Sequence, residues 1–307
     1  MNYQLEKIKL NLKVNWKISR NESFSKDNFL LKGDKYTSEI APNTRYGENE
    51  EIIFNNFKDF LNSPHQENPL WCQSFKNAFN NLKLKERYNG DLFRALGLRK
   101  INGAQTSFSI PIMSLDRVGE YIEKNDQFHF YKIKIDAKDP LALIHEVSKH
   151  TKNPLRIDAN EAFTDLDGYL RFAARLKDFN IDFIEQPFPA KFIHEYESLK
   201  SVSNYEVIAD ESVIDFFDEK LFQKSFHGLN VKIMKTGGVE NAKRILLKAK
   251  EFGMKTMIGC MIESSLGISE AFSLAELADY IDLDGALLIN NDPFKELYRL
   301  KRGHLYF

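Results

Sequence analysis

Cysteine is almost missing from this chain. Only Cys72 and Cys260 occur in 307 residues, too few and too far apart for a disulfide scaffold or a thiolate metal site. No run of about 18 apolar residues occurs, so no segment reads as a transmembrane helix. The opening "MNYQLEKIKLNLKVNWKIS" alternates like a strand and has no apolar signal core, so a reduced, cytoplasmic protein is expected. Charge of either sign is not in excess, the formal net value being −1. No global field therefore draws nucleic acid or an anionic membrane, and neither is expected as a partner. Low-complexity tracts and long linkers are also lacking.

What is present is a chain long enough for one large α/β barrel or two ordinary domains, with 43% hydrophobic residues to build the core. The first hundred residues read as an α+β unit. "KIKLNLKVNWKI" and "NFLLKG" have strand character, with a loop expected at "SRNESFSKD" between them. "NEEIIFNNFKDFLN" and "NPLWCQSFKNAFNNLKLKER" have the apolar spacing of helices. From about Ser107 short apolar runs alternate with amphipathic stretches. The runs are "TSFSIPI", "YKIKI", "LRIDA", "DFIEQP", "EVIADES", "GLNVKIMK", "KTMIGCMIE" and "DGALLIN". Strand then helix, repeated, predicts parallel strands, and eight candidates favour a closed barrel. The expected division is an α+β unit over 1–102, a barrel over 103–290 and a tail over 291–307.

Several strand candidates end in a charge where apolar residues should dominate. "RIDAN" carries Asp158, "FIEQP" carries Glu185 and "IADES" carries Asp210. Barrel active sites are built at the C-terminal ends of the strands, so successive βα units would bring these three carboxylates together. Hard oxygen ligands without thiolate or imidazole suit Mg²⁺. A lone acid at a strand end is usually a helix cap or a surface charge; three in succession are not explained that way.

Lysines flank the acids. In "YKIKI" Lys132 and Lys134 share one strand face while Ile133 and Ile135 share the other. In "LNVKIMKTGG" Lys232 would face the barrel axis with Asn230 and Met234, and Lys235 would fall in the following loop. The order around the barrel is Lys, Asp, Glu, Asp, Lys, with Lys134 and Lys232 approaching from opposite sides. Such a pair suits removal of a proton next to a carboxylate, with Mg²⁺ offsetting the charge of the enediolate that results. Crowding by Lys132 would lower the pKa of its neighbour, so that one lysine acts and the other tunes it.

These motifs, "KIK" at 132–134, "DAN" at 158–160, "EQP" at 185–187, "DES" at 210–212 and "VKIMKTGG" at 231–238, resemble those of the enolase superfamily in its muconate-lactonizing subgroup. The resemblance implies a capping domain over a (β/α)7β TIM-type barrel, with "RYGE" at 45–48 in a loop that helps close the site. It implies one Mg²⁺ per subunit on Asp158, Glu185 and Asp210, an acid/base pair of Lys134 and Lys232, and Asn160 and Glu211 beside the ligands. Asp282 and Asp284 in "DYIDLDGALLI" look like the Asp-x-Asp pair with which dipeptide epimerases bind a substrate's α-ammonium. Two carboxylates satisfy a cationic amine and repel a purely anionic substrate.

The resemblance therefore implies epimerisation of a dipeptide at its C-terminal residue. Arg20, in the loop expected to reach over the site, suggests an acidic side chain and an L-Ala-L-Glu substrate, linked to cell-wall peptide recycling. Lys132, Phe24, Ile262, Glu263 and Ser264 are further candidates for substrate contact, although an inward Glu263 would oppose an acidic substrate. An o-succinylbenzoate synthase or cycloisomerase of the same subgroup would share the metal and the lysines, but its substrates lack an ammonium group. A non-catalytic barrel that only binds is the remaining alternative. The resemblance also implies a tail over 291–307 that returns toward the capping domain; the Gly-rich segment usual there is lacking, so looser closure, or help in closure from a homo-oligomer, is expected.

Overall fold

The computed structural model describes residues 2–18, 21–135 and 138–307. The N-terminal layer is a three-stranded antiparallel sheet, β1 (Gln4–Ile18), β2 (Asn21–Lys32) and β3 (Thr37–Ile40), carrying α1 (Glu50–Asn62), α2 (Gln73–Arg87) and α3 (Leu92–Leu96). The Asn49 side chain caps α1 by accepting from Ile52 N, which supplies a donor-starved helix start with a partner. The small core of this layer is aromatic, with Phe60 edge-on to Tyr3, Trp71, Phe75 and Phe79. Most of the stretch expected as a loop at 19–27 is strand. Ser23, Ser25 and Asp27 pair with Trp16, Asn11 and Lys9, because ladder bonds need only backbone and the polar side chains gave no apolar alternation.

The second layer begins with β4 (Ala104–Gln105) and runs through β5 (Ser107–Ile110), α4 (Val118–Glu123), β6 (Phe130–Lys134), α5 (Ala142–His150), β7 (Leu155–Asp158), α6 (Leu166–Ala174) and β8 (Ile181–Glu185). It continues with α7 (Ile193–Val202), β9 (Glu206–Ala209), α8 (Glu219–Ser225), β10 (Gly228–Lys232), the single turn α9 (Ile233–Thr236), α10 (Val239–Glu251), β11 (Lys255–Gly259), α11 (Ser265–Phe272) and β12 (Tyr280–Asp282). Strands β5 to β12 form one parallel sheet in sequence order. Ser107 Oγ and Arg156 Nη1 both donate to Ile281 O, at 3.1 and 3.3 Å, tying the first strand to the last. The result is a (β/α)7β barrel of the TIM type, roofed by the N-terminal α+β layer.

Alternation along each strand sorts its residues. Ile133, Ile157, Ile184, Val207, Val231 and Ile258 are fully buried in the shell between strands and helices, each contributing roughly 1.5–3 kcal/mol of transfer free energy. The opposite face fills the lumen. Its lower part is packed by Phe183, Ile208 and Met257 with Tyr280, and Arg156 stacks on the Phe130 ring at 4.1 Å. Above this apolar floor the lumen carries Lys132, Lys134, Asp158, Glu185, Asn230, Lys232 and Asp282, with Gly259 making room for Asn230.

The last strand lies earlier than the sequence suggests. "DGALLIN" is not a strand; Gly285–Leu288 is a 3₁₀ turn and β12 is Tyr280–Asp282. Leu283 N donates to Thr106 Oγ1 at 2.8 Å, which ends the ladder. A Cβ on Gly285 would lie 2.4 Å from Met261 O, so the turn needs glycine there. The tail first touches the N-terminal layer and then pairs beside the barrel. Asn291 bonds to β1 at Asn11 N and Lys9 O. The chain then forms β13 (Arg299–Lys301) and β14 (His304–Tyr306), and β14 pairs with β4. Gly303 lies against Gln127 and Phe128, just before β6 begins, so the tail packs beside the N-terminal end of that strand.

The roof is bolted to α11. Glu270 accepts from Ser38 Oγ (2.7 Å), Lys85 Nζ (2.5 Å) and Asn81 Nδ2 (2.8 Å). Glu39 of β3 accepts from Asn28 Nδ2 (2.8 Å), Ser264 Oγ (2.5 Å) and the Ser264 and Gly267 amides (both 3.0 Å) at the start of α11. A carboxylate there meets the positive end of the helix.

Candidate active site

The strand order works as a compass. Lys134 ends β6 and Lys232 ends β10, four strands apart in a ring of eight and therefore on opposite sides. Between them on one side come Asp158 at the end of β7, Glu185 at the end of β8 and Asp210 just after β9. Asp282 ends β12, across the ring from Glu185. Over this ring and under the N-terminal layer lies a cavity of about 940 Å³. Lys132, Lys134, Asp210, Lys232, Asp282 and Asp284 line it from the barrel, and Trp16, Lys26, Asn43, Arg45, Tyr46 and Glu48 from the roof.

One oxygen each from Asp158, Glu185 and Asp210 fall within 4.8 Å of one another, and all three residues are buried. The set is purely oxygen, which fits a hard divalent cation such as Mg²⁺. Glu185 Oε2 is buried without a hydrogen-bond donor, although the Lys132 ammonium lies 2.8 Å away as an ion pair. Glu185 Oε1 accepts from Asn230 Nδ2 at 2.9 Å, and Asn230 fits because Gly259 faces it, where a Cβ would lie 2.4 Å from Asn230 Oδ1.

Burial opposes the charge of all three acids; their partners overcome it at Asp158 and Asp210 but not at Glu185. Asp158 resists burial through Lys134 and Lys132 and stays below the usual carboxylate range. Asp210 does the same through Lys232 and Lys235. Glu185 is pushed up to about 8, by burial first and with Lys132 only partly offsetting it. Lys134 Nζ donates to Asp158 Oδ2 at 2.5 Å, and Lys232 Nζ to Asp210 Oδ2 at 2.8 Å. Burial opposes the Lys232 charge, but Asp210 outweighs it and raises the pKa.

Lys132 departs from the expected tuning role. Its ammonium does not simply crowd Lys134; it lies 2.7 Å from Asp282, 2.8 Å from Glu185 and 3.1 Å from Asp158. Burial opposes its charge, yet Asp282, Glu185 and Asp158 together raise its pKa. The reason is that the lumen holds more carboxylates than lysines, so this cation is an internal counter-ion.

Asp282 and Asp284 both line the cavity. Asp282 Oδ2 takes Lys132, and its Oδ1 is buried without a hydrogen-bond partner. Asp284 Oδ2 accepts from Ser109 N at 2.7 Å. Asn160 is not the cap of α6, which is Asp165. Its amide donates to Asp158 Oδ1 at 3.0 Å and its side chain to Glu211 Oε1 at 3.3 Å, so these two residues meet beside the acids.

The specificity candidates are divided. Ile262 lines the cavity. Glu263 and Ser264 do not; Glu263 Oε1 accepts from Met261 N at 2.7 Å and Ser264 binds Glu39, both behind the wall. They turn away because Ser264 caps α11. Phe24 is exposed and outside the lining, which its neighbours Ser23 and Ser25 provide. Arg20 lies outside the described residues.

Sequence reasoning missed two supports of Asp210. Gln186 Oε1 accepts from Asp210 N at 2.8 Å; its φ of 38° is invisible in the sequence. Lys235, placed in a loop by strand phase, is buried on α9 and donates to Asp210. The strand ends at Lys232, so Met234 is not a lumen residue either.

Comparison with known proteins agrees with this geometry. Residues 116–307 match the family described as enolase C-terminal domain-like. The chain is 34% identical over 215 residues to an L-Ala-D/L-amino acid epimerase of Flavobacterium johnsoniae, covering 70% of this chain and 63% of that protein. It is 33% identical over 204 residues to an L-Ala-D/L-Glu epimerase of Bacteroides thetaiotaomicron, covering 66% and 53%. The matched region thus spans less than two thirds of these relatives. Among solved structures, the L-Ala-D/L-Glu epimerase of Bacillus subtilis superposes with a TM-score of 0.86 at 20% identity, covering 100% and 96% of the two chains. A Methylococcus capsulatus dipeptide epimerase complexed with Mg and L-Arg-D-Lys gives 0.86 at 23%, covering 99% and 96%.

Proposed function

Because the chain belongs to the enolase C-terminal domain-like family, we propose that it is a Mg²⁺-dependent dipeptide epimerase, inverting the α-carbon of the C-terminal residue. The observation that carries this reading is the compass arrangement: two lysines on opposite sides of a lumen, three carboxylates between them, and an Asp pair across from the carboxylates. Relatives described as L-Ala-D/L-amino acid and L-Ala-D/L-Glu epimerases support it.

Asp158, Glu185 and Asp210 would hold one Mg²⁺. When bound, it supplies Lewis-acid chemistry, neutralising negative charge that grows on the substrate carboxylate. A dipeptide spanning the cavity sets its carboxylate toward this side and its ammonium toward Asp282 and Asp284, where charge attracts charge. Its α-carbon then lies between Lys134 and Lys232. The lysine that is a free amine takes the α-proton from one face. The opposite lysine, as ammonium, returns a proton to the other face, and the centre is inverted. Two bases on opposite faces are what a 1,1-proton transfer requires, whereas elimination runs with one. Cavity closure by the roof excludes water from the transient carbanion.

For the side chain we propose an acidic residue, as in L-Ala-L-Glu. Lys26 supports this as a cavity-lining cation; burial lowers its pKa, with Glu48 and Asp27 only partly offsetting it, so an incoming carboxylate would favour its charge. A cytoplasmic role in recycling wall peptides would follow from that substrate.

The test is exchange in D₂O. With Mg²⁺ and L-Ala-L-Glu, NMR should show loss of the Glu α-proton together with appearance of the D-epimer. Lys134→Ala and Lys232→Ala should each abolish inversion, while the surviving lysine still exchanges the α-proton of one epimer only. A broad dipeptide panel without exchange would sink the reading.

A further inference from the structure

Lys235 is a buried cation that this reaction does not use. Its ammonium lies 2.6 Å from Asp210 O and 2.6 Å from Asp210 Oδ1, while Lys232 takes Oδ2 at 2.8 Å. A charge placed there without work to do is costly to bury.

The segment that carries Lys235 is a single helical turn held from the roof. Asn77 Nδ2 of α2 donates to Met234 Sδ at 3.3 Å, and Asn80 Nδ2 to Gly237 O at 2.9 Å. Asn81 Oδ1 accepts from Val239 N at 3.1 Å. Gly237 has φ 78° and Gly238 has φ 122°, and a Cβ on Gly237 would lie 2.7 Å from Gln73 Oε1. Helix α2 therefore comes close enough to fix where the turn sits. From roof to barrel the contacts run α2, α9, Lys235, Asp210 without a gap.

We propose that Lys235 is a positioning residue for the metal centre: it clamps Asp210 from behind by its carbonyl and one carboxylate oxygen, and so couples docking of α2 to metal affinity. This rests on the reading of Asp158, Glu185 and Asp210 as the Mg²⁺ site. With its carbonyl and Oδ1 held, Asp210 keeps the orientation in which one of its oxygens falls within 4.8 Å of an oxygen of Asp158 and of Glu185. Groups that orient a ligand in this way set affinity by about ten- to a hundredfold.

The experiment is calorimetric titration of the substrate-free protein with MgCl₂. Lys235→Met should weaken Mg²⁺ binding at least about tenfold, and its turnover should recover toward the wild-type value as Mg²⁺ is raised. Lys235→Arg, which keeps the donors and the charge, should regain most of the affinity. A Met variant that binds Mg²⁺ as tightly as the wild type, or more tightly, overturns the proposal, the second result marking Lys235 as a mere competing charge. Should the Met variant lack native circular dichroism, Lys235→Gln is judged by the same ratio. Asp158→Asn separates the two readings. If the wild type takes no Mg²⁺, or Asp158→Asn takes it equally well, the metal site itself is misassigned; if only the Lys235 variants fail to respond, the positioning role alone falls.

Discussion

Asp282 and Asp284 stand two residues apart and feel opposite pressures. Burial would raise both, but Lys132 overrides it at Asp282 and lowers the pKa. At Asp284 burial and then the Asp282 charge push the carboxyl up to about 7. Asp284 is therefore the member of the pair that lacks a cation, the place that the proposed function gives to a substrate ammonium. Replacing Asp284 by Asn should raise KM for the dipeptide at least about tenfold, the scale of one charge-assisted hydrogen bond. Mg²⁺ affinity, read by calorimetry, should stay near the wild-type value; equal loss of both would remove the ammonium role. At this scale much of the site could be read from sequence. Asp158, Glu185, Asp210, Lys134 and Lys232 each put a charge at the end of an apolar strand pattern, which has few structural explanations. Lys132 was legible as inward-facing, but its partners were not, since Asp282 is 150 residues away.

At the scale of elements, α11 shows how a helix start can store a proton. A Cβ on Gly267 would lie 2.5 Å from Glu263 Oε2 and 3.0 Å from Glu39 Oε2, so the two carboxyls converge there. Glu39 is satisfied by donors on every side, whereas Glu263 Oε2 has none. Glu263 is accordingly the one that holds a proton: burial first, then the Glu39 charge, raises its pKa well above that of a free carboxyl. The folded state then binds a proton that the unfolded chain releases above about pH 4.3. Stability should fall as pH rises from there toward the folded pKa, by at most about 1.4 kcal/mol per pH unit. Glu263→Gln needs no proton, so its urea midpoint should decline less between about pH 5 and 8 than that of the wild type; superimposable profiles would refute the assignment. Elements were legible where apolar periodicity was strong, as in β6 to β11. They were missed where backbone bonds alone hold the strand, as in β2, or where a side-chain hydroxyl ends it, as at Leu283 after β12.

For the molecule as a whole, the cavity exists only because two layers meet over the strand ends. Arg45, from the loop that lines the cavity, reaches Glu161 of the barrel at 2.5 Å. Ion pairs with an exposed partner contribute about 0–1 kcal/mol to stability, so Arg45→Ala should leave the thermal midpoint nearly unchanged. It should nevertheless raise KM for the dipeptide severalfold, because the loop loses its hold on the barrel rim. A large fall in melting temperature with unchanged KM would show the contact to be a fold element instead. The layering was foreseeable from the change of rhythm near Ser107; the bonds between layers, such as Asn28 to Ile262 O, join distant residues and leave no local trace.

The pairing of Leu305 with Ala104 bears on how the protein is made. β4 precedes all eight barrel strands and β14 follows them, so this ladder closes only after every one of those strands has been made. Contacts of such long sequence separation form late and slowly, and until then the unpaired edge of β4 stays open to other chains.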